Sequence, residues 1–137
     1  MQKLVVTRSE QVRAVTEALV AATEDGRVDL IAKQIRSDFH VGEFDRASFI
    51  SGVESALTFT KVENARITGF DVEFSGDTAT VSLGVIAQFI GRQEFSGMQP
   101  TSWTLTYELT DGEWMLTAVE PRSTPVFPYD DLRQVIP

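Results

Sequence analysis

The sequence predicts an α+β fold in which three N-terminal helices pack in the hollow of a strongly curved antiparallel sheet, so that the whole forms a cone. Apolar residues recur every three or four positions up to about residue 60, which is the period of a helix packed on one side. From about residue 64 to residue 120 they alternate instead, which is the period of a strand. Helices grouped ahead of strands are typical of α+β proteins, whose helices cover one face of the sheet.

The first helix is predicted to begin after Thr7. Thr7 and Glu10 form a capping-box pattern, in which a hydroxyl and a carboxylate satisfy free amides at a helix start. The apolar positions that follow at helical spacing are Val12, Val15, Leu19 and Ala22. Asp25-Gly26 is expected to end the helix, because glycine adopts the left-handed cap conformation readily.

Two more helices are predicted before the sheet. The apolar stripe of the second consists of Val28, Ile31, Ile35 and Phe39. Asp38 would then lie at the end of this helix and His40 just beyond it. The third helix is expected to start at Asp45, a favourable N-cap residue. Its apolar side consists of Phe49, Val53, Ala56 and Leu57.

Four strands are predicted in the second half. They cover residues 64–75, 78–92, 101–110 and 113–120, and residues 93–100 are expected to form a loop. The expected inward-facing residues of the last three strands are Ala79, Val81, Leu83, Val85, Ala87, Phe89, Trp103, Leu105, Tyr107, Leu109, Trp114, Leu116 and Ala118.

Turns and a bend are expected between and within these strands. Ser75-Gly76-Asp77 and Asp111-Gly112 are typical turn sequences. At about 3.3 Å per residue the second strand is too long to lie straight in a small domain. Gly84 or Gly91 is expected to mark its bend.

The size and charge of the chain limit the domain organisations and the classes of partner that are possible. The chain has 137 residues, of which 42% are apolar, and we assign residues 1–122 to one domain and residues 123–137 to a proline-containing tail. The net charge of −8, without a basic cluster, argues against nucleic acid and anionic membranes as partners. Without a signal-peptide pattern, we expect a soluble protein. It would be cytoplasmic if Met1 is the native start and extracytoplasmic if a leader was removed.

The order of elements resembles the nuclear-transport-factor-2-like superfamily, and within it the SnoaL-like group. The resemblance spans about residues 8–122 and is carried by the Asp38-Phe39-His40 segment and by the hairpin of Asp111, Gly112 and Trp114. It implies a cystatin-like α+β cone with a pocket at its wide end. The superfamily includes ketosteroid isomerases, scytalone dehydratases, limonene epoxide hydrolases, polyketide cyclases and many non-enzymatic binding and assembly domains, so the fold leaves the function open.

The resemblance also implies candidate catalytic residues. Enzymes of the superfamily use a buried carboxylate beside a donor, which implies Asp38 or His40 as the base and Tyr107 as the donor. Each also has a structural interpretation, because Asp38 and His40 suit a helix end and Tyr107 suits a core. The isomerase-like arrangement needs a tyrosine donor from the helical half, and no tyrosine precedes Tyr107. The cyclase-like pattern of one acid and one histidine is the enzymatic arrangement that the residue counts allow.

Three functions therefore stay open. The first is a small-molecule-binding or accessory domain that needs no cofactor or metal, because one histidine and no cysteine suit neither zinc nor iron. The expected lining of its apolar pocket is Phe39, Phe49, Phe59, Phe89, Trp103 and Tyr107. The second is a proton-transfer enzyme of the isomerase, dehydratase or cyclase type. The third is a structural homodimer joined through the outer face of the sheet, whose expected outer residues include Ile86, Ile90, Met115, Thr117 and Val119.

Overall fold

The computed structural model describes residues 7–41, 43–90 and 98–123. Its elements in chain order are α1 (Arg8–Glu24), α2 (Val28–Lys33), β1 (Ile35–Val41), β2 (Phe44–Asp45), α3 (Arg46–Phe59), β3 (Lys61–Ser75), β4 (Thr78–Ile90), β5 (Met98–Thr110) and β6 (Glu113–Ser123). The strands form one sheet in the order β2-β1-β6-β5-β4-β3. The α+β class is confirmed. The sheet is mixed, because β1 runs parallel to β6 while the other neighbours are antiparallel.

The starts of the two long helices follow the prediction. The Thr7 hydroxyl accepts a 3.1 Å hydrogen bond from the Glu10 amide, and the Glu10 carboxylate accepts one from the Thr7 amide, which completes the capping box. Gly26, just past the end of α1, has a φ of +68°. The Asp45 carboxylate caps α3 by accepting a 2.9 Å bond from the Ser48 amide.

The second helix is shorter than predicted. α2 ends at Lys33, and Ile35 and Phe39 lie buried on β1 instead. A spacing of four residues fits one face of a helix and also one face of a strand, so this pattern could not separate the two. Asp38 and His40 consequently lie within a strand, and the prediction that they flank a helix end is wrong.

The long strands keep the predicted alternation over most of their length. Every second residue of β4 from Ala79 to Ala87 is buried. The turns at Gly76, Asp111 and Gly112 have positive φ values of 59°, 50° and 82°. β5 already begins at Met98, so the last part of the predicted loop is strand.

A bulge reverses the faces of β6 near its middle. The register with β5 shifts directly after Thr106, which pairs with Ala118 and leaves Thr117 as the extra residue. Val119 then pairs with Leu105 and is buried on the inner face. The expected inner position of Ala118 and outer position of Val119 are therefore wrong, because a bulge moves every later side chain to the other face.

β3 and β4 approach each other closely at a pair of glycines. Gly69 pairs with Gly84 directly after an irregularity in the register that follows Ile67. A Cβ atom on Gly84 would lie 2.9 Å from Thr68 Oγ1, so a larger residue would force a shift. Gly84, one of the two positions predicted to mark a bend, thus lies where β3 and β4 come close and where a side chain would have to displace that of Thr68.

Several predictions concern residues outside the described ranges. They include the alternative bend at Gly91, most of the loop at 93–100 and the tail after residue 123.

Candidate functional site

A cavity of about 230 Å³, partly open to solvent, lies between the helices and the inner face of the sheet. The second half of α1 and one side of α3 form its helical wall, and β3 to β6 form its sheet wall. The residues that line it include Leu19, Thr23, Phe49, Gly52, Ala56, Val85, Ala87, Phe89, Thr101, Trp103 and Val119. The wall is almost entirely apolar.

Small residues explain why this part of the fold is hollow. Gly52 and Ala56 lie one turn apart on α3 and both face the cavity, and Gly52 is the one buried residue of α3. Across the cavity, Ala87 also offers little side-chain volume. Close packing needs side chains that meet, and these three positions leave a gap. Gly52 was not among the predicted lining residues, although its spacing of four from Ala56 on the same helix was an available signal.

The few polar side-chain groups of the wall are already hydrogen-bonded. Thr101 Oγ1 donates a 2.7 Å bond to the Val85 carbonyl and accepts a 2.9 Å bond from Trp103 Nε1. Thr23 Oγ1 donates a 2.8 Å bond to the Leu19 carbonyl. None of the described lining residues has an ionisable side chain. The described wall therefore offers hydrogen-bond acceptors but no free side-chain donor.

The predicted aromatic lining is found only in part. Phe49, Phe89 and Trp103 line the cavity. Phe39 lies outside the described lining, almost fully buried, with its ring centroid 4.6 Å from that of Phe49. Phe59 is 74% exposed. The structure thus places Phe39 and Phe59 outside the described lining, because β1 carries Phe39 into the core and the end of α3 turns Phe59 outward.

Tyr107 also lies outside the described lining, in the fully packed core. Its hydroxyl lies 2.8 Å from Thr16 Oγ1, whose own hydrogen goes to the Val12 carbonyl at 2.8 Å, so the tyrosine donates to the threonine. Burial raises the pKa of Tyr107 and keeps the phenol neutral. The expected role of Tyr107 as a donor to a ligand in the cavity does not fit this arrangement.

Asp38 and His40 are exposed on β1, on either side of the inward-facing Phe39, and neither lines the cavity. Arg36 donates two 2.7 Å hydrogen bonds to the Asp38 carboxylate and lowers its pKa. Arg36 also lies 3.4 Å from a carboxylate oxygen of Glu108. The structure thus places Asp38 in a surface ion-pair cluster and does not bring the expected acid–base pair to the cavity.

The described residues contain neither a metal-binding cluster nor a membrane-spanning helix. In those ranges, no three or more histidine, cysteine, aspartate or glutamate side chains are grouped so as to hold a metal ion. No helix within the same ranges is long and apolar enough to cross a membrane.

The chain matches solved structures but no protein-family model and no curated protein. An NTF2-like protein from Cytophaga hutchinsonii has a TM-score of 0.72 at 15% identity, over 85% of this chain and 98% of that one. A proposed dehydratase of the NTF2-like family from Streptomyces avermitilis has a TM-score of 0.69 at 19% identity, over 85% and 96%. A proposed calcium/calmodulin-dependent kinase II association domain from Xanthomonas campestris has a TM-score of 0.71 at 18% identity, over 91% and 96%.

Proposed function

We propose that this chain, which has the NTF2-like, cystatin-like α+β fold, is a small-molecule-binding domain whose cavity takes an apolar ligand. The observation that carries the proposal is the cavity of about 230 Å³ with its almost entirely apolar wall. Apolar cavities of about 150 Å³ stay dry and bind benzene. A ligand of this cavity would accordingly be somewhat larger, such as a fused bicyclic hydrocarbon.

The enzymatic alternative has less support. Proton transfer needs a base within hydrogen-bond reach of the substrate and usually a donor for the developing oxyanion. The described wall has no ionisable side chain, and the hydroxyl and indole hydrogens of Thr23, Thr101 and Trp103 are engaged. The name of the Streptomyces structure suggests dehydration for that protein, but the wall described for this chain favours binding without catalysis.

Binding is tested by titrating the full chain with indane in a calorimeter. Ala87→Leu adds volume inside the cavity, whereas Thr80→Leu adds it on the exposed outer face of the same strand. We expect the unsubstituted chain and Thr80→Leu to bind indane, and Ala87→Leu to fold normally without binding. Equal binding by all three chains, or none by the unsubstituted one, would rule out the cavity as an apolar ligand site.

Self-association through the outer sheet face is a second candidate function. The side chains of Ile90 and Met98 are 42% and 37% exposed. Both lie on the outer face of the sheet, near the end at which Ile86 of β4 pairs with Pro100 of β5. Exposed apolar side chains on the outer face of a sheet suit a protein interface. The name of the Xanthomonas structure, an association domain, points the same way for that protein.

The association is tested by light scattering. We expect the chain to be a homodimer and Ile86→Glu to be a monomer, since a charge at the centre of an apolar contact is costly. Thr80→Glu, a charge elsewhere on the same outer face, is the matched control and should stay dimeric. A monomeric unsubstituted chain would contradict the interface.

A further inference from the structure

We infer that Thr101 sets the chemical class of ligand that the cavity accepts, because it engages both hydrogen-bond donors on its side of the wall. The cavity would then select hydrocarbons and alcohols, and it would reject ligands that present a ketone or carboxylate oxygen. This inference rests on the proposed binding function and adds to it the polarity of the ligand.

The hydrogen bonds of Thr101 carry the argument. A threonine hydroxyl has one hydrogen and two lone pairs. The hydrogen points to the Val85 carbonyl at 2.7 Å, and one lone pair accepts the Trp103 indole N–H at 2.9 Å. Thr101 is only 8% exposed, so water does not compete strongly for these bonds. One acceptor lone pair remains, and the indole has no second hydrogen to offer.

The other hydroxyl group of the described wall, that of Thr23, can likewise accept a hydrogen bond from a ligand but cannot donate one. Thr23 donates its hydrogen to the Leu19 carbonyl at 2.8 Å, one turn earlier in α1, which is a common bond for threonine in helices. Its lone pairs are left as acceptors. On both the helical wall and the sheet wall, the described polar side chains can accept a hydrogen bond from a ligand but cannot donate one.

The affinity of a ligand should therefore depend strongly on whether its oxygen carries a hydrogen that it can donate. A ketone that enters the cavity loses its hydrogen bonds to water and finds no side-chain donor, and an unpaired buried acceptor is costly. An alcohol of the same shape can donate to Thr101 or Thr23. Sites that pair a buried ligand group reject analogues that cannot pair.

The test compares two oxygen-containing ligands of nearly equal size. Indane, 2-indanol and 2-indanone are titrated into the full chain by calorimetry. We expect 2-indanol to bind at least about tenfold more tightly than 2-indanone, which corresponds to about 1.4 kcal/mol. Indane should bind as well, because the wall is apolar.

Substitutions at Thr101 and Trp103 test whether the hydrogen bond between them causes the preference for the alcohol. Thr101→Val keeps the shape, removes the acceptor and frees the Trp103 indole N–H to face a ligand, so it should shift the preference at least about tenfold towards 2-indanone. Thr101→Ser keeps the hydroxyl and should keep the original order. Trp103→Phe should leave the ratio of the 2-indanol and 2-indanone affinities unchanged, since the indole hydrogen is not available to ligands in the unsubstituted chain.

The possible outcomes separate the two proposals. If indane binds but 2-indanol and 2-indanone bind equally well, the inference about Thr101 fails and the binding function stands. If none of the three ligands binds, the binding function fails and the inference fails with it. If Thr101→Val does not fold, Trp103→Phe still decides, because a specific loss of 2-indanone binding would show that the indole already donates to ligands.

Discussion

Two regions between the helices and the inner face of the sheet differ in how completely side chains fill them. The packed region consists of the fully buried Val12, Thr16, Phe39, Val81 and Tyr107. The hollow region consists of the cavity-lining residues farther along the same strands, from Leu83 to Phe89 on β4 and from Thr101 to Leu105 on β5. Both regions are apolar and both include residues of β4 and β5, so the difference comes from the small residues that face the cavity, Gly52 and Ala56 on α3 and Ala87 on β4.

Both regions use a threonine to satisfy an aromatic donor, with different consequences. In the packed region the Tyr107 hydroxyl donates to Thr16, which fixes α1 on the sheet. In the hollow region the Trp103 indole donates to Thr101, within the wall itself. The same pairing therefore stabilises the core in one place and removes a donor from a binding surface in the other. A polar pair acquires its role from what lies next to it.

The largest expected effect contrasts two neighbouring phenylalanines. Phe39→Ala removes a fully buried ring and should reduce the free energy of unfolding by about 3–5 kcal/mol. Phe49→Ala should cost clearly less, because one side of that ring already faces the cavity. Urea denaturation of both variants measures the difference. Equal losses would contradict the existence of two differently filled regions.

The next contrast adds volume at two alanines on the same face of β4. Ala79 is fully buried in the packed part of the core, and Ala87 faces the cavity. Ala79→Leu should destabilise the protein by about 1–3 kcal/mol through overpacking. Ala87→Leu should leave the unfolding free energy nearly unchanged, because its added atoms enter empty space. Urea denaturation measures both effects. A larger loss of unfolding free energy in Ala87→Leu than in Ala79→Leu would contradict the placement of Ala79 in the packed core and of Ala87 at the cavity.

A smaller effect is expected from the Tyr107 hydroxyl. Tyr107→Phe removes the hydrogen bond to Thr16 while the ring stays in place, which should cost about 1 kcal/mol of unfolding free energy. Its affinity for indane should stay the same, since Tyr107 does not line the described cavity. A large loss of indane binding in calorimetry would mean that the hydroxyl reaches the ligand after all.

The smallest effect is expected at Asp38. Because Arg36 lowers the pKa of Asp38, the pair contributes stability above the ordinary pKa of aspartate, and this contribution disappears as the pH falls through the lowered value. Asp38→Asn should therefore make unfolding slightly less dependent on pH in the acidic range, as followed by circular dichroism. Neither Asp38→Asn nor His40→Ala should change indane affinity. A loss of binding in either variant would restore the acid–base hypothesis.

Local signals in the sequence were enough for much of the fold. The capping box at Thr7, the cap at Asp45 and the turn at Asp111-Gly112 are each fixed by a few neighbouring residues, and the structure confirms all three. The alternation of β4 was equally clear, because one face of that strand is buried.

The rest depended on contacts between distant parts of the chain. Phe39 belongs to β1 because that strand pairs with β6, and no local period distinguishes this from a helix. Val119 faces inward because of a bulge that only the partner strand reveals. The resemblance implied a pocket, but not the small residues that leave it hollow, because Gly52 and Ala87 lie far apart in the sequence and only the fold brings both into the wall. Asp38 was a catalytic candidate through the resemblance, whereas β1 places it in an exposed ion pair with Arg36.

The most direct test of an apolar ligand cavity is a crystal structure of the full chain grown with 5-bromoindane, with anomalous diffraction measured at the bromine edge. We expect one strong bromine peak between α3 and the inner face of β4 and β5, within contact distance of Ala56 and Ala87. A space filled by protein side chains, or bromine only at the outer face of the sheet, would contradict the proposed function.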